Sequence, residues 1–170
     1  MSKQNSKDAL PAQLHILAPY VATPPDVVER MLLLARVTED DLVYDLGCGD
    51  GRILIAAARH FGARGVGVDI EPFWISESQR NAEHAHVDHL LTFIVQDALT
   101  VDLSPATVLF LYLVEWSTSK LLPMVQRDLK TGARVISHNF RMADWNPAKV
   151  EKLSDATGLE HTLYLWVVGN

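Results

Sequence analysis

The chain has 170 residues, and its 15 Lys and Arg against 21 Asp and Glu give a formal charge of −6. A chain of this length can bury about 70% of its unfolded surface in one core, so it needs neither disulfides nor a structural metal. The acidic balance argues against a polyanion partner such as nucleic acid. The single cysteine, Cys48, excludes an internal disulfide, and we expect a reducing, cytoplasmic setting.

The N-terminal segment and the longest apolar run indicate how the chain is organised. No apolar run of the kind that a secretory signal requires follows the N-terminus, and we expect residues 1–16 to be a flexible tail. The longest apolar stretch, residues 108–114, is far short of the ~20 residues that cross a bilayer, so no membrane span is expected. No repeat or linker divides the sequence. We predict a single domain over residues 1–170.

Helical and extended patterns alternate along the first half of the chain. A first helix is predicted to begin at Thr23-Pro-Pro-Asp26, with Thr23 as its cap and prolines at early helical positions. A strand over residues 41–46, a glycine loop and a helix over residues 52–61 follow. Residues 65–70 are predicted to form a second, fully buried strand, which completes a βαβ unit.

The second half of the chain continues the alternation and then breaks it. Further predicted elements are helices over residues 72–85 and 121–129 and strands over residues 90–95, 106–113, 133–138, 149–153 and 161–168. The nearly continuous hydrophobicity of residues 106–113 predicts a central strand. Only a short turn at Thr157-Gly158 separates the last two strands, so they cannot be parallel. The predicted fold class is α/β: a Rossmann-like, seven-stranded, mainly parallel sheet with an antiparallel last strand and helices on both faces.

The segment Asp45-Leu-Gly-Cys-Gly-Asp-Gly51 joins the first strand to the next helix. Its alternating glycines let the backbone pass close to a ligand, and a helix N-terminus follows. The spacing differs from the Gly-x-Gly-x-x-Gly that cradles a dinucleotide pyrophosphate. Asp45 would also repel a phosphate. The loop therefore favours a cationic or hydroxyl-bearing ligand, although a tight strand-to-helix turn is the structural alternative.

Further acids follow the next two strands, where the carboxyl ends of parallel strands meet. Asp69 closes the second strand, Glu71 follows it, and Asp97 follows the third. A carboxylate about twenty residues beyond a glycine loop is suited to the ribose hydroxyls, and Asp97 could accept the adenine amino group. A ligand with adenosine, no phosphate and a positive charge is S-adenosylmethionine.

At these residues the sequence resembles the class I S-adenosylmethionine-dependent methyltransferases, through Val43-Tyr-Asp-Leu-Gly-Cys-Gly-Asp-Gly-Arg52 and Gly67-Val-Asp-Ile-Glu71. Five further segments resemble the small protein-lysine methyltransferases of archaea and mitochondria, and the likeness covers residues 17–169. They are Pro19-Tyr-Val-Ala-Thr-Pro-Pro25, Leu111-Tyr-Leu113, Arg134-Val-Ile-Ser-His-Asn-Phe140, Asp144-Trp-Asn-Pro147 and His161-Thr-Leu-Tyr-Leu165.

The resemblance implies an S-adenosylmethionine site and a protein substrate with an accessible lysine. It implies that Asp69 holds the ribose, that Asp97 faces the adenine, and that the segment with Tyr20 and Thr23 closes over the cofactor. The implied cofactor-binding residues are Tyr20, Thr23, Asp45, Gly47, Cys48, Gly49, Gly51, Asp69, Ile70, Glu71, Asp97 and Ala98.

For the methyl acceptor, the end of the fourth strand offers two candidate catalytic residues. Tyr112 could supply a hydroxyl or a π wall, and Glu115 could pair with an incoming ammonium; a core aromatic and a solvated loop acid are the alternatives. His138, at the end of the fifth strand, is expected to face the same opening through which the acceptor enters, and to hold its loop there by hydrogen bonding. No Asn/Asp-Pro-Pro-Tyr/Phe tetrapeptide follows the fourth strand, which argues against nucleobase methylation. Trp116 could form a cation–π wall or simply pack.

Two departures from the family pattern leave the acceptor open. Thr118 stands where the family commonly has an asparagine, and Asn139 stands where it tends to have an acid; both are expected on the substrate rim. A small-molecule methyltransferase and a non-catalytic S-adenosylmethionine-binding protein are the alternatives.

Three further segments are not expected to take part in the reaction. His84-Ala-His-Val-Asp-His89 offers possible metal ligands, but methyl displacement from a sulfonium needs no metal, and none is predicted. Cys48 is expected to be a small packing residue rather than a nucleophile. Asp144-Trp-Asn-Pro147 is expected to order the segment beside the substrate mouth.

Overall fold

The computed structural model describes residues 20–169, and the predicted tail, residues 1–16, lies outside them. The helices are α1 (Pro25–Ala35), α2 (Arg52–Phe61), α3 (Pro72–His84) and α4 (Glu115–Asp128). The strands are β1 (Leu42–Leu46), β2 (Arg64–Asp69), β3 (Leu91–Val95), β4 (Val108–Leu111), β5 (Arg134–His138), β6 (Lys149–Ser154) and β7 (Glu160–Val167). In the described range no helix is long and apolar enough to cross a membrane.

The strands form one seven-stranded sheet in the order β3-β2-β1-β4-β5-β7-β6. The first five pair in parallel, and β7 runs antiparallel to both β5 and β6. The predicted fold class is confirmed, and β4 lies in the middle of the sheet with all its residues buried. The chain order reverses between β1 and β4, and this reversal opens a crevice at the carboxyl ends of these strands.

Alternating side chains of the central strands feed two cores, one on each face of the sheet. Val108 and Phe110 of β4 pack with α1, α2 and α3, whereas Leu109 and Leu111 pack with α4. Each of these four side chains is fully buried, a burial that contributes about 1.5–3 kcal/mol per side chain. The two cores hold the strand ends, and with them the crevice, in a fixed position.

The end of the sheet away from the crevice is tied by one buried carboxylate. Asp41 accepts a hydrogen bond from the Thr107 hydroxyl (2.7 Å) and forms an ion pair with the Arg134 guanidinium. Arg134 also donates to the carbonyl of Ala35 (2.8 Å), at the end of α1. Three strands and a helix therefore meet at this carboxylate.

Three local expectations were wrong. Thr23 does not cap α1: Pro24 occupies the N-cap, and the Thr23 hydroxyl lies 3.4 Å from His138 Nδ1. The second strand, predicted over residues 65–70, is not fully buried, because Val66 and Asp69 are only partly buried. α4 begins at Glu115 rather than at residue 121, since its first turn is polar and carries no apolar periodicity.

Candidate cofactor and active site

A cleft of about 260 Å³ opens at the carboxyl ends of β1, β2 and β4. It lies at the reversal of strand order, where sheets of this kind bind ligands. Ten of the predicted site residues line it: Tyr20, Thr23, Asp45, Gly47, Cys48, Asp69, Ile70, Glu71, Ala98 and Tyr112. Four predicted site residues do not line it: Gly49, Gly51, Asp97 and Glu115.

The glycine loop turns sharply beneath the cleft. Gly47, Gly49 and Gly51 all have positive φ (80°, 52° and 80°), a region that side-chain-bearing residues rarely adopt. A Cβ on Gly49 would lie 2.5 Å from the Tyr20 ring, and one on Gly51 would lie 2.8 Å from Ser78 Cβ. Gly49 and Gly51 therefore act through close packing, and Gly47 is the loop glycine that faces the cleft.

Cys48 packs under the same loop. Its side chain is buried, and a Cβ on Gly67 would come within 2.9 Å of its sulfur. Burial raises the pKa of the Cys48 thiol, and the charges of Asp45 and Asp69 raise it further. The thiol stays protonated at neutral pH, which suits a packing residue and not a nucleophile.

Asp45 carries the most perturbed carboxyl group of the cleft wall. It is 3% exposed, and burial together with the negative charges of Asp69 and Asp50 raises its pKa to about 8. At neutral pH the group therefore holds a proton in the ligand-free cleft. A cationic ligand beside it would favour the ionised form.

Asp69 is held in place by its own backbone surroundings. Its Oδ2 accepts from the Gly49 N–H and its Oδ1 from the Glu71 N–H, both at 3.0 Å. Two fixed N–H donors orient the carboxylate at the end of β2 and leave lone pairs free for further donors such as ribose hydroxyls.

Asp97 is placed differently from Asp45 and Asp69. Its Oδ1 accepts from the Leu99 N–H (2.9 Å) and caps the short 3₁₀ turn of residues 98–100. Its neighbours Gln96 and Ala98 line the cleft instead. Of the four predicted strand-end acids, Asp45, Asp69 and Glu71 therefore contribute to the cleft wall, and Asp97 does not.

An aromatic pair covers one side of the cleft. The rings of Tyr20 and Trp74 stack with centroids 3.8 Å apart, and the Tyr20 hydroxyl accepts from Arg52 Nη2 at 3.2 Å. Arg52 also donates to the carbonyl of Thr23 (2.9 Å) and pairs with Asp50. The segment before α1 is thus fastened over the glycine loop.

Sequence reasoning missed four polar or aromatic residues of the cleft: Asp50, Arg52, Trp74 and Gln96. One signal was present for Trp74, which lies in the first turn of a helix that begins directly after Glu71. Nothing in the spacing of Arg52 indicates that it reaches back to the segment before α1.

Tyr112, which follows β4, forms another part of the cleft wall. Its ring lies 3.9 Å from the ring of His138, centroid to centroid. His138 is fully buried, and its Nε2 lies 2.8 Å from Nδ1 of His161. Burial and, to a lesser extent, the charge of His161 lower the pKa of His138 to about 4, so the ring is neutral at pH 7.

The expected rim position of Thr118 was wrong, whereas that of half-buried Asn139 stays a prediction. Thr118 is fully buried, and its hydroxyl bonds to the carbonyls of Glu115 (2.9 Å) and Arg141 (2.7 Å), which fixes the first turn of α4. Asn139 has φ 64° and accepts from the Thr162 N–H through Oδ1 (2.9 Å). Both side chains thus bind backbone groups: the small Thr118 hydroxyl fits between two carbonyls, and asparagine tolerates the positive φ at residue 139.

The remaining candidates lie outside the cleft wall. Glu115 is exposed in the first turn of α4, and Trp116 is 48% exposed with the Lys120 ammonium 4.6 Å from its ring centroid. Trp145 stacks on buried Trp166, whose indole N–H donates to the Trp145 carbonyl (2.9 Å). Across residues 20–169 no three His, Cys, Asp or Glu side chains are grouped to hold a metal ion.

These residues fit S-adenosylmethionine. Acids at Asp45 and Asp69 suit a cation and a ribose, Gly47 lets a ligand approach the backbone, and stacked aromatic rings border the space. Among the lining residues in the described part, Arg52 is the only Lys or Arg, and its guanidinium already has three protein partners. The cleft is therefore poorly suited to a phosphate.

The family model of the ANTKMT methyltransferase domain matches residues 45–149. The chain belongs to this methyltransferase family. Like its relatives it is an S-adenosylmethionine-dependent methyltransferase. It is 44% identical to a protein-lysine N-methyltransferase of Saccharolobus islandicus, over 89% of this chain and 94% of that protein. It is 29% identical to the adenine nucleotide translocase lysine N-methyltransferase of Mus musculus, over 81% of this chain but only 59% of that protein.

A solved structure supports the cofactor. The methyltransferase superposes with a TM-score of 0.82 on an RNA methyltransferase from Salinibacter ruber that contains S-adenosyl-L-homocysteine. The two are 44% identical, over 87% of this chain and 94% of that one. Two relatives of equal identity thus carry names with different methyl acceptors, a protein lysine and an RNA.

Proposed function

We propose that this methyltransferase transfers a methyl group from S-adenosylmethionine to the side-chain amine of a lysine in a protein substrate. The observation that carries the proposal is the charge of the cleft. The carboxylates of Asp69 and Glu71 line it, and Arg52, the one Lys or Arg of the described residues that does so, is already paired with Asp50. Such a cleft attracts a cationic acceptor and repels a phosphate backbone.

Each residue of the cleft has a binding or orienting role in this proposal. Asp69 accepts the ribose hydroxyls, Asp45 balances the cationic end of the cofactor, and Ala98 and Gln96 border the base. The pair of Tyr20 and Trp74 keeps water from the cofactor. When bound, S-adenosylmethionine supplies an electrophilic methyl group on a sulfonium.

Tyr112 and Glu115 are the candidates for the acceptor side. Tyr112 lines the cleft just after the end of β4, and exposed Glu115 can pair with an approaching ammonium. Methyl transfer is an in-line displacement, so its barrier falls chiefly through alignment of the acceptor. A lysine amine has an ordinary pKa near 10.4, so the acceptor ammonium must lose a proton, to the protein or to solvent, before transfer.

RNA is the competing acceptor, because the Salinibacter ruber relative is called an RNA methyltransferase. RNA recognition relies on clustered Lys and Arg that track the phosphates. This chain has a net charge of −6 and an acidic cleft. Both features favour a lysine over an RNA acceptor. A cytoplasmic setting is part of the proposal, since a single cysteine demands no oxidising compartment.

The test is a competition for one labelled cofactor. Purified enzyme is incubated with methyl-labelled S-adenosylmethionine, a mixture of lysine-rich proteins, total RNA and a metabolite extract, and each fraction is then separated. Label should appear in methylated lysine after protein hydrolysis, and Asp69→Asn should reduce it strongly. Label in RNA or in small molecules, with protein blank, would overturn the lysine proposal. Thr92→Ser, a substitution outside the cleft lining, serves as the matched control.

A further inference from the structure

A chain of hydrogen-bonding side chains leads from the cleft through the protein to the turn between β6 and β7. Thr23 lines the cleft, and its Oγ1 lies 3.4 Å from His138 Nδ1. His138 Nε2 lies 2.8 Å from His161 Nδ1, and His161 Nε2 lies 3.0 Å from Asp155 Oδ2. All four residues are buried. We call them the histidine relay.

The Asp155 carboxylate fixes the direction of every hydrogen bond in the relay. Hydrogen bonds from Thr157 and His161 hold the pKa of Asp155 well below its usual range, so it can only accept. With its ring neutral, His161 therefore carries its one proton on Nε2 and accepts on Nδ1. His138 then donates from Nε2 and accepts on Nδ1, which leaves the Thr23 hydroxyl as donor to His138. The lone pairs of Thr23 Oγ1 are then left for a further donor, and Thr23 lines the cleft.

Few other titratable groups face the relay. Tyr112 packs against the His138 ring from the end of β4, at 3.9 Å. Near the turn, Asp26 of α1 accepts from the Ala156 N–H (2.9 Å), and Glu160 accepts from Ser154 (3.1 Å). No Lys or Arg is hydrogen-bonded to Thr23 Oγ1, His138, His161 or Asp155 within the described residues. Asp155 thus supplies the negative charge at the end of the relay.

We propose that the histidine relay takes the proton from the acceptor ammonium before methyl transfer, a step that rests on the proposed amine acceptor. One N–H bond of the ammonium breaks, its proton passes to Thr23 Oγ1, and its electron pair stays on the amine nitrogen. Thr23 passes its hydroxyl proton to His138 Nδ1. His138 passes the proton of Nε2 to His161 Nδ1, which leaves an imidazolium beside the Asp155 carboxylate.

The substitution Asp155→Asn should reverse the direction of the hydrogen bonds in the histidine relay while keeping a side chain of the same size at residue 155. Asp155 Oδ1 accepts from the Thr157 N–H (2.8 Å), the Thr157 hydroxyl (2.6 Å) and the Leu159 N–H (3.0 Å). Backbone N–H groups only donate, so the asparagine oxygen must take the place of Oδ1. Its NH₂ group then faces His161, which must accept on Nε2. Both histidines are forced to the other tautomer, and Thr23 becomes an acceptor from His138.

Nuclear magnetic resonance of ¹⁵N-histidine-labelled enzyme tests the direction without any turnover. In the wild type at pH 7, Nε2 should be protonated and Nδ1 bare in both His138 and His161. In Asp155→Asn the assignment should reverse in both rings. The opposite tautomers in the wild type would overturn the relay. Ser154→Ala, which removes an exposed hydrogen bond in the same hairpin, should leave both rings unchanged.

The kinetic test is a pH profile on a lysine-containing protein. Asp155→Asn and Thr23→Val should lower kcat/KM by about 10²-fold at pH 7, the range of a general base, and Thr23→Ser should retain most of it. The deficit should shrink toward pH 10, because the lysine then loses its proton to solvent. A deficit of equal size at every pH, or none, would overturn the relay and leave lysine methylation standing. Label transfer to RNA alone would instead defeat the proposed function, while the tautomer result would still hold.

Discussion

The ring of Tyr20 lies directly against Gly49, so close that a Cβ on that glycine would come within 2.5 Å of ring Cε2. The same ring stacks on Trp74 at 3.8 Å, so it is held between the glycine loop and α3. This contact joins the segment before α1 to the loop that is expected to hold the cofactor. The Tyr20 ring can therefore cover the cleft only because residue 49 is a glycine.

Gly49→Ala should push the Tyr20 ring off the loop and also strain a backbone at φ 52°. We expect the Kd for S-adenosylmethionine to rise roughly tenfold or more, since one or two kcal/mol of packing is lost. Isothermal titration calorimetry measures it. Tyr20→Ala should have a similar effect, whereas Tyr20→Phe keeps the stacked ring and should remain within about threefold of wild type. Equal affinity in Tyr20→Ala would show that the cover does not contact the cofactor.

Cofactor binding should release a proton near pH 7. Asp45 has its pKa raised to about 8 in the ligand-free cleft, and a cation beside it lowers that pKa again. The binding enthalpy should therefore depend on the ionisation enthalpy of the buffer, which titrations in two buffers reveal. Asp45→Asn should abolish the proton release. If the wild type shows no buffer dependence at pH 7, Asp45 does not face the cationic group.

Asp45 should also lower the stability of the ligand-free protein as the pH rises. Its folded pKa lies above the value of about 3.9 in the unfolded chain, so the folded state binds the extra proton between pH 4 and pH 8. The free energy of unfolding therefore falls with pH across that window. Asp45→Asn removes this dependence and should be more stable than wild type at pH 8, in urea unfolding without cofactor. A wild type and variant of equal stability at pH 8 would contradict the raised pKa.

Asp41→Asn should destabilise the fold without affecting cofactor affinity in the protein that remains folded. Burial opposes ionisation of Asp41, but hydrogen bonds from Thr107 and Thr38 and the Arg134 guanidinium outweigh it and hold its pKa below the usual value. We expect a loss of about 2–3 kcal/mol, below the full cost of a broken buried pair because Arg134 is partly exposed. Arg80→Gln, which removes an exposed pair with Glu77, should change stability by less than about 0.5 kcal/mol.

The pH dependence of the Asp41 effect has a definite sign. A carboxyl whose folded pKa is depressed contributes stability above its unfolded pKa and loses it as the pH falls through the folded value. The gap between wild type and Asp41→Asn should therefore be full at pH 7 and should narrow below pH 4. Urea unfolding at both values measures it. A gap that widens in acid would contradict the assignment.

Glu115→Gln and Tyr112→Phe separate the two candidate roles on the acceptor side. Glu115 is exposed, so its loss should raise KM for the protein substrate by a few-fold at low salt and leave KM for S-adenosylmethionine unchanged. Tyr112→Phe preserves the ring contact with His138 and removes only the hydroxyl. A fall in kcat with unchanged KM would assign the hydroxyl to the reaction, and unchanged kinetics would leave the ring as a wall.

The sequence predicted the parts of this site that are local in the chain. Asp45 and Gly47 belong to one loop, and Asp69 ends a strand whose position follows from alternation. The pair of His138 and His161 was out of reach, because it depends on the register between β5 and β7, which pairs His138 with Leu163. The prediction placed Thr118 on the substrate rim because residues 115–118 have the polar sequence of a loop. In the structure they form the first turn of α4, and the Thr118 hydroxyl bonds to the carbonyls of Glu115 and Arg141.

The position of the transferred methyl group tests the lysine acceptor most directly. Purified enzyme is incubated with trideuteromethyl S-adenosylmethionine and a mixture of lysine-containing protein and RNA, and both are digested and analysed by mass spectrometry. We expect the deuterated methyl group on lysine side-chain nitrogens, and its loss with Asp69→Asn. A deuterated methyl group on nucleotides, with the lysines unmodified, would contradict it.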